Sequence, residues 1–439
     1  MSSDEASQPP ALVAPSKRRR RVGRVLGVTT VGLVAVLAGT YAAACALAPL
    51  PSPTVSIAEP TLRITGDDAQ AQAIVDAQAE PTAVGWLHAD EVWANSDTPV
   101  PIASISKLVT VLVALDAQPV EAGADGPVHV WTTADAARQD AYLAADGVAF
   151  PIPIGTEVTV REMLELALIP SANDFAAAYA YSVFGDNEAF LAAVKQWQDR
   201  EGLESLTLFE PTGMDERNAA SPADVLRLTR LALQNETVAE IVALRKANLP
   251  WGIGTVTSTN PLFRALDGVV GAKTGRTSAA GYNLAAARAS DAPGHDVVQL
   301  SVVLGRDTAE DRLSSSLATF SALDAAYQTV TITKVGERVG TATTADGIEI
   351  PLVTSVGATS VLLPGEEVTR TITPLGAAAG EDFAISGEDS DAGEQVATLT
   401  TTGPTSEDAT KSDIVTDAPI VAPSYGWRLT HPRELFVWN

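Results

Sequence analysis

The sequence is poor in cysteine and histidine, with one Cys and four His in 439 residues. A lone thiol, Cys45, excludes an intramolecular disulfide framework, and scattered histidines without cysteine partners argue against a zinc site. His88, His129, His295 and His431 fall in strand, turn or tail contexts, which speaks against a Ser-His-Asp triad. Basic residues are also scarce: 29 Lys+Arg face 54 Asp+Glu, for a net charge of -25. Phosphate binding rests on clustered Lys and Arg, so no nucleic-acid partner is expected for the body of the chain. Any chemistry must therefore come from Ser, Lys, Asp, Glu or Asn. With 46% hydrophobic residues, the chain can bury a sizeable core across two or more domains.

The basic residues that exist cluster at one end. Residues 1–24 form a basic tail, with Lys17, Arg18, Arg19, Arg20, Arg21 and Arg24 just before an uncharged, mostly apolar run over residues 25–50. That run can cross a bilayer of about 30 Å, and the flanking charge predicts a cytoplasmic N-terminus. The rest would then lie outside the membrane, held by one single-pass anchor. A cleavable signal peptide is the alternative, with "ALA" at Ala46–Ala48 as its cleavage site and a secreted product. A lipidated Cys45 is weaker, because "AAAC" lacks a large aliphatic residue three positions earlier.

Residues 51–79 read as a linker. "TAVGWLHADEVWANSD" (82–97) then reads as two short strands and a turn. Helical patterns follow in "PIASISKLVTVLVAL" and at 132–146, 160–169, 173–185, 187–202 and 221–235, the last with Ser221 as N-cap and Pro222 at the first position. Strand-like runs occupy 268–275, 281–289 and 295–305, and a helix at 308–327 closes the unit. Strands at both ends with helices between predict an α+β fold, a sheet of sequence-distant pieces with an α-helical layer inserted. Residues 329–376 read as β-rich, 377–418 as an acidic low-complexity segment, a linker or disordered insertion, and 419–439 as a short tail.

Three motifs could carry chemistry. In a helix, residues three apart share a face, so Ser104 and Lys107 lie side by side while Ser106 points elsewhere. A neutral Lys there could take the Ser104 proton. On S-x-x-K alone, a plain helix N-terminus with solvated polar groups is the better explanation, because the motif is expected about once by chance in a chain of this size. "PSAND" places Ser171 and Asn173 between two helices, where capping is a sufficient explanation. "GAKTGRTSAAGYN" places Lys273, Thr274 and Gly275 in an apolar strand, where a snorkelling edge lysine is the plain alternative.

Their order and wide spacing are more telling. S-x-x-K at Ser104–Lys107, S-x-N at Ser171–Asn173 and K-T-G at Lys273–Gly275 resemble the motifs of penicillin-recognising serine acyl enzymes. "ASISKLVT", "PSANDFAAAYA" and "GAKTGRTSAAGYNLAAA" resemble the low-molecular-mass D-alanyl-D-alanine carboxypeptidases in particular, with a looser match at 207–228. The resemblance implies a β-lactamase/DD-peptidase-like fold with an antiparallel sheet over residues 80–328, a small β-rich region behind it, no cofactor or metal, peptidoglycan stem peptides as substrate, and β-lactams as covalent inhibitors. It makes Ser104 the nucleophile, Lys107 its base and Ser171 a proton relay between Lys107, the leaving group and Lys273. Asn173 would hold the substrate backbone, and Lys273, Thr274, Gly275 and Arg276 the carboxylate end, with the Ser104 and Arg276 N–H groups as oxyanion hole.

Some positions depart from the family pattern. Glu210 stands where Asn is general, Met214 where Leu is common, and Trp197-Gln198 near a usual Met-Asn pair, changes expected to flank the site. Competing readings are a DD-endopeptidase, a serine β-lactamase and a non-enzymatic β-lactam-sensing or scaffold domain. The second lacks an E-x-x-L-N loop between Ser171 and Lys273, and the short tail before Val25 offers a sensor no signalling domain.

Overall fold

The computed structural model describes residues 17–292, 295–375, 385–405 and 408–436. Residues 1–16 of the expected basic tail therefore lie outside the described residues, as do 377–384 and 406–407 of the expected acidic linker and 437–439 of the tail.

A five-stranded antiparallel sheet organises the central segment, in the order Val269–Thr277, Gly281–Ala292, His295–Arg306, Thr82–Trp86, Trp93–Ala94. Successive side chains of a strand point to opposite faces, and the apolar residues here are placed accordingly. Ala83, Ala285, Ala287, Leu300 and Val302 enter the large core beneath the helical layer. Val84, Leu284, Ala286 and Val303 enter a second core with Phe320 and Leu323, under helices Ala69–Asp76 and Ala309–Leu323. Both faces are covered, so the sheet is a middle layer. Strands at the two ends of the segment meet in it, since Gln299–Val303 pairs with Thr82–Trp86.

The expected boundaries on either side of this segment are corrected. Residues 51–79 are not a free linker: Thr54–Ile57 and Thr61–Thr65 are the two outermost strands of a seven-stranded sheet otherwise built from residues 338–416. The expected acidic linker contributes two strands to the same sheet, Gln395–Thr402 and Lys411–Thr416. Its few large apolar residues concealed the alternation, yet Val396, Leu399 and Ile414 are buried in the core of that sheet. The central segment is thus inserted between two pieces of one β unit.

The tail is also structured. Helix Lys17–Leu47 contains a 22-residue stretch, Leu26–Leu47, long and apolar enough to cross a membrane. Short helices Tyr425–Thr430 and Pro432–Leu435 pack on its C-terminal end, burying Cys45, Ala48 and Leu435 together. Arg428 donates to the carbonyls of Ala46 and Ala48, at 3.1 and 3.3 Å. These belong to the acceptors that a helix end leaves without an internal partner.

Candidate active site

Ser104 lies in a single 3-10 turn, Ala103–Ile105, that leads into helix Ser106–Ala117. Every residue from Ser106 to Leu115 is buried, because helices Val160–Leu168, Asn173–Phe184, Asn187–Glu201 and Pro222–Gln234 surround this one. Helices apolar all round belong in such interiors. Ser104 itself is half-exposed at the helix mouth. Ser106 is fully buried and its hydroxyl donates to the Ala103 carbonyl at 2.7 Å, so of the two serines only Ser104 faces the opening.

Lys107 is completely buried, and its ammonium nitrogen donates to Ser104 Oγ at 2.8 Å, to Asn173 Oδ1 at 2.6 Å and to the Thr212 carbonyl at 2.8 Å. Burial disfavours the charged form and moves its pKa down to about 7, against the opposing negative charges of Glu210 and Asp174. A lysine of that kind can be neutral near neutral pH, as a general base requires.

Ser171 sits in the turn before helix Asn173–Phe184 with φ of +74°, a left-handed conformation uncommon for a residue with a Cβ. Its hydroxyl accepts from Lys273 Nζ at 2.9 Å. The resemblance expects Ser171 between both lysines; here Lys107 spends its three donors elsewhere, and the described hydrogen bonds link Ser171 to Lys273. Asn173 likewise turns its amide oxygen to Lys107. Neighbouring Asp174 accepts from Gln139 Nε2 and the Phe150 N–H, both at 2.9 Å, and burial raises its pKa to about 6.

Lys273, Thr274 and Gly275 come from the edge strand Val269–Thr277. A Cβ on Gly275 would lie 2.5 Å from the Ile102 carbonyl oxygen and 3.3 Å from the Ser104 nitrogen, so only glycine lets the strand press against the turn that carries Ser104. Lys273 is buried, and desolvation first, then the charges of Lys107 and Arg312, hold its pKa well below the usual lysine value. Thr274 Oγ1 pairs with Thr259 Oγ1 at 2.5 Å. Arg276 is exposed, its guanidinium 5.5 Å from the Tyr282 ring centre.

The structure thus brings seven of the eight expected residues around one centre and leaves the Arg276 side chain at the rim. It also separates the departures. Trp197 is buried in the helical core and shares a groove with Leu112 and Leu231, so it does not flank the site. Glu210 does, through Thr212.

Residues 91–308 match the D-alanyl-D-alanine carboxypeptidase family. That segment contains all three motifs, in the geometry just described. It belongs to this family.

Among curated relatives of the D-alanyl-D-alanine carboxypeptidase family, the chain is 31% identical to a D-alanyl-D-alanine endopeptidase of Pseudomonas aeruginosa over 43% of its own length and 60% of that protein's. It is 27% identical to the D-alanyl-D-alanine carboxypeptidase DacF of Bacillus subtilis, over 50% and 54%. The chain thus spans about three fifths or less of the length of these two relatives. Penicillin binding protein 5 from Haemophilus influenzae shares the fold, with a TM-score of 0.53 over 78% of this chain and 97% of that one at 18% identity.

Sequence reasoning missed Thr212, Thr259 and Asp174. Thr212 lies in "FEPTGM", which resembled the family only loosely, and it contributes a carbonyl, which no side-chain motif reports.

Proposed function

We propose that the chain is a serine-type D-Ala-D-Ala carboxypeptidase that removes the terminal D-Ala from peptidoglycan stem peptides through an acyl-enzyme on Ser104. The observation that carries this reading is the 2.8 Å contact between the half-exposed Ser104 hydroxyl and a fully buried lysine that can be neutral near pH 7. In the proposed reaction Lys107 takes the hydroxyl proton as Ser104 Oγ bonds to the carbonyl carbon of the penultimate D-Ala. The N–H groups of Ser104 and Arg276 would hold the oxyanion, a contribution of roughly 3–4 kcal/mol each. As the C–N bond breaks, the Ser171–Lys273 pair would deliver a proton to the departing amine, and water would then hydrolyse the ester. Lys273 and Thr274 would bind the substrate carboxylate. β-Lactams, which present a comparable acyl group, would form the same ester bond with Ser104.

The anchoring reading is that helix Lys17–Leu47 stays attached and holds the active site outside the cell membrane. Its support is the packing of the C-terminal helices on Cys45 and Ala48, an apolar surface that cleavage after Ala48 would break up. DD-endopeptidase activity is a second reading, favoured by the name of the Pseudomonas aeruginosa relative.

Incubation with a pentapeptide ending in D-Ala-D-Ala, with assay of free D-Ala, tests the main reading. Release that depends on Ser104 supports it. Cleavage of cross-linked dimers without D-Ala release would replace it with the endopeptidase.

A further inference from the structure

Glu210 is a departure from the resembling family's pattern, and the structure gives it a dense set of partners. One carboxylate oxygen accepts from the Thr212 N–H at 2.7 Å and from the Thr212 hydroxyl at 2.6 Å. The other accepts from the N–H groups of Gly213, Met214 and Asp215, at 2.6, 2.9 and 3.3 Å, and from Asn218 Nδ2 at 3.2 Å. Four successive backbone donors converge on one side chain. Charged acceptors make shorter and stronger hydrogen bonds than neutral ones, so this carboxylate is the centre about which the 210–215 turn is wound.

That turn forms one wall of the nucleophile's cradle. Its Thr212 carbonyl accepts from Lys107, and its Pro211 carbonyl accepts from Thr110 one helical turn further along, at 2.7 Å. Gly213, at φ of +85°, lies so close to the Ala103–Ser104 peptide that a Cβ there would fall 2.0 Å from the Ala103 oxygen and 2.7 Å from the Ser104 nitrogen. A displacement of the turn would therefore reach both Lys107 and Ser104. Asn218 bridges the same turn to the buried Ser106 hydroxyl at 3.2 Å.

We propose that Glu210 is a positioning residue for the Ser104–Lys107 pair: its carboxylate fixes the turn that presents the Thr212 carbonyl to Lys107, and its negative charge, carried into the site beside that carbonyl, favours the ammonium form of Lys107. The inference rests on the proposed role of Lys107 as base. Where asparagine, a neutral side chain, would hold this turn by hydrogen bonds alone, this chain adds a charge.

The other groups around Lys107 make the effect readable. Asp174, on helix Asn173–Phe184, is the second negative group acting on Lys107. Lys273, on the facing strand, is the nearby cation, itself under the influence of Arg312. Tyr142 and Tyr181 lie within reach of Glu210, and both have pKa values raised by burial, so they stay neutral through the range tested. Removing the Glu210 charge destabilises protonated Lys107, so the base becomes free at lower pH.

The test compares wild type with Glu210→Gln, Glu210→Asn and Glu210→Asp. In the two neutral variants the acid limb of kcat/KM for a D-Ala-D-Ala peptide is expected to move down by roughly one pH unit. Glu210→Asp, which keeps the charge on a shorter stem, should leave the limb near its wild-type position and lower the plateau. A second readout does not depend on activity: the NMR titration of lysine labelled at Cε, with the Lys107 signal assigned by its loss in Lys107→Ala. The Lys107 midpoint should fall in Glu210→Gln and Glu210→Asn. An unchanged midpoint in folded neutral variants overturns the proposal, as does unfolding of both neutral variants while Glu210→Asp stays folded. Failure of the wild type to release D-Ala would sink the proposed function, while the midpoint would still decide the effect of Glu210 on Lys107.

Discussion

The family segment and the seven-stranded β unit bury polar groups on different terms. In the first, Lys107, Ser171, Asn173, Asp174 and Lys273 are all buried, and their partners come from elements far apart in sequence. In the second, the buried polar residues are mostly threonines such as Thr354, Thr401 and Thr416, whose hydroxyls are satisfied by nearby backbone, with the Arg370–Glu337 pair and Asp408 as charged exceptions. Burying an ammonium group is unfavourable unless it is hydrogen-bonded or loses its charge. The comparison teaches that the family segment tolerates such burial at one place, where two lysines with lowered pKa values meet a half-exposed serine. The β unit buries its charges as hydrogen-bonded or ion-paired groups away from any such serine and is otherwise held by volume and alternation.

The largest expected effect comes from deleting the proposed nucleophile. Ser104→Ala should lower D-Ala release by about 10⁴-fold or more and abolish covalent labelling by penicillin, with the melting temperature near wild type. Label persisting in Ser104→Ala and vanishing in Ser106→Ala would reverse the assignment.

Next comes a change that should harm only the other region. Leu399 is fully buried in the β-unit core, so Leu399→Ala should destabilise that unit by about 2–5 kcal/mol in denaturant unfolding. Penicillin acylation measured at low temperature should stay near wild type. A parallel fall in acylation would mean that the two regions unfold as one.

Lys273→Gln should reduce kcat/KM for a D-Ala-D-Ala peptide by about ten- to a hundredfold, as expected for a charge-assisted hydrogen bond worth roughly 1.5–3 kcal/mol. An amidated or esterified peptide, which has no carboxylate to offer, should lose much less. Equal losses would assign Lys273 to proton transfer through Ser171 and move carboxylate recognition to Arg276.

The smallest effect is graded. Because Lys107 must be neutral to accept the Ser104 proton, acylation should fall to about half its plateau near pH 7, the value to which burial brings Lys107, and then by about tenfold for each further pH unit. An acylation rate that stays flat down to pH 5 would remove Lys107 as the base.

The sheet and the helical layer were legible because their patterns are local: Ser221 and Pro222 mark a helix start, and the valines and alanines of 281–305 alternate between two cores. The gathering of Ser104, Lys107, Ser171, Asn173, Lys273, Thr274 and Gly275 at one place was legible because three short motifs carry them. What escaped the sequence was carried by backbone atoms and by pairing at long range. The Thr212 carbonyl leaves no mark in a residue pattern. Nor does the destination of Thr54–Ile57, whose burial is only partial and whose partner is Arg338–Thr343. Threonine-rich "QVATLTTT" reads as polar by composition, although Val396, Ala397, Leu399 and Thr401 are buried.

The placement of Thr54–Ile57 and Thr61–Thr65 at opposite margins of one sheet also sets an order of assembly. Both strands leave the ribosome early and must wait for partners that are synthesised after the entire family segment. Closing so long a loop is entropically demanding, and waiting strand edges can pair with other chains. The sheet gains its central strand only when Lys411–Thr416 emerges, because that strand joins Glu349–Thr354 to Gln395–Thr402. A nascent chain that stops before residue 411 would thus hold two separate half-sheets, one carrying Thr54–Ile57 on Arg338–Thr343 and the other carrying Thr61–Thr65 on Glu367–Pro374, and Lys411–Thr416 is the seam that makes them one.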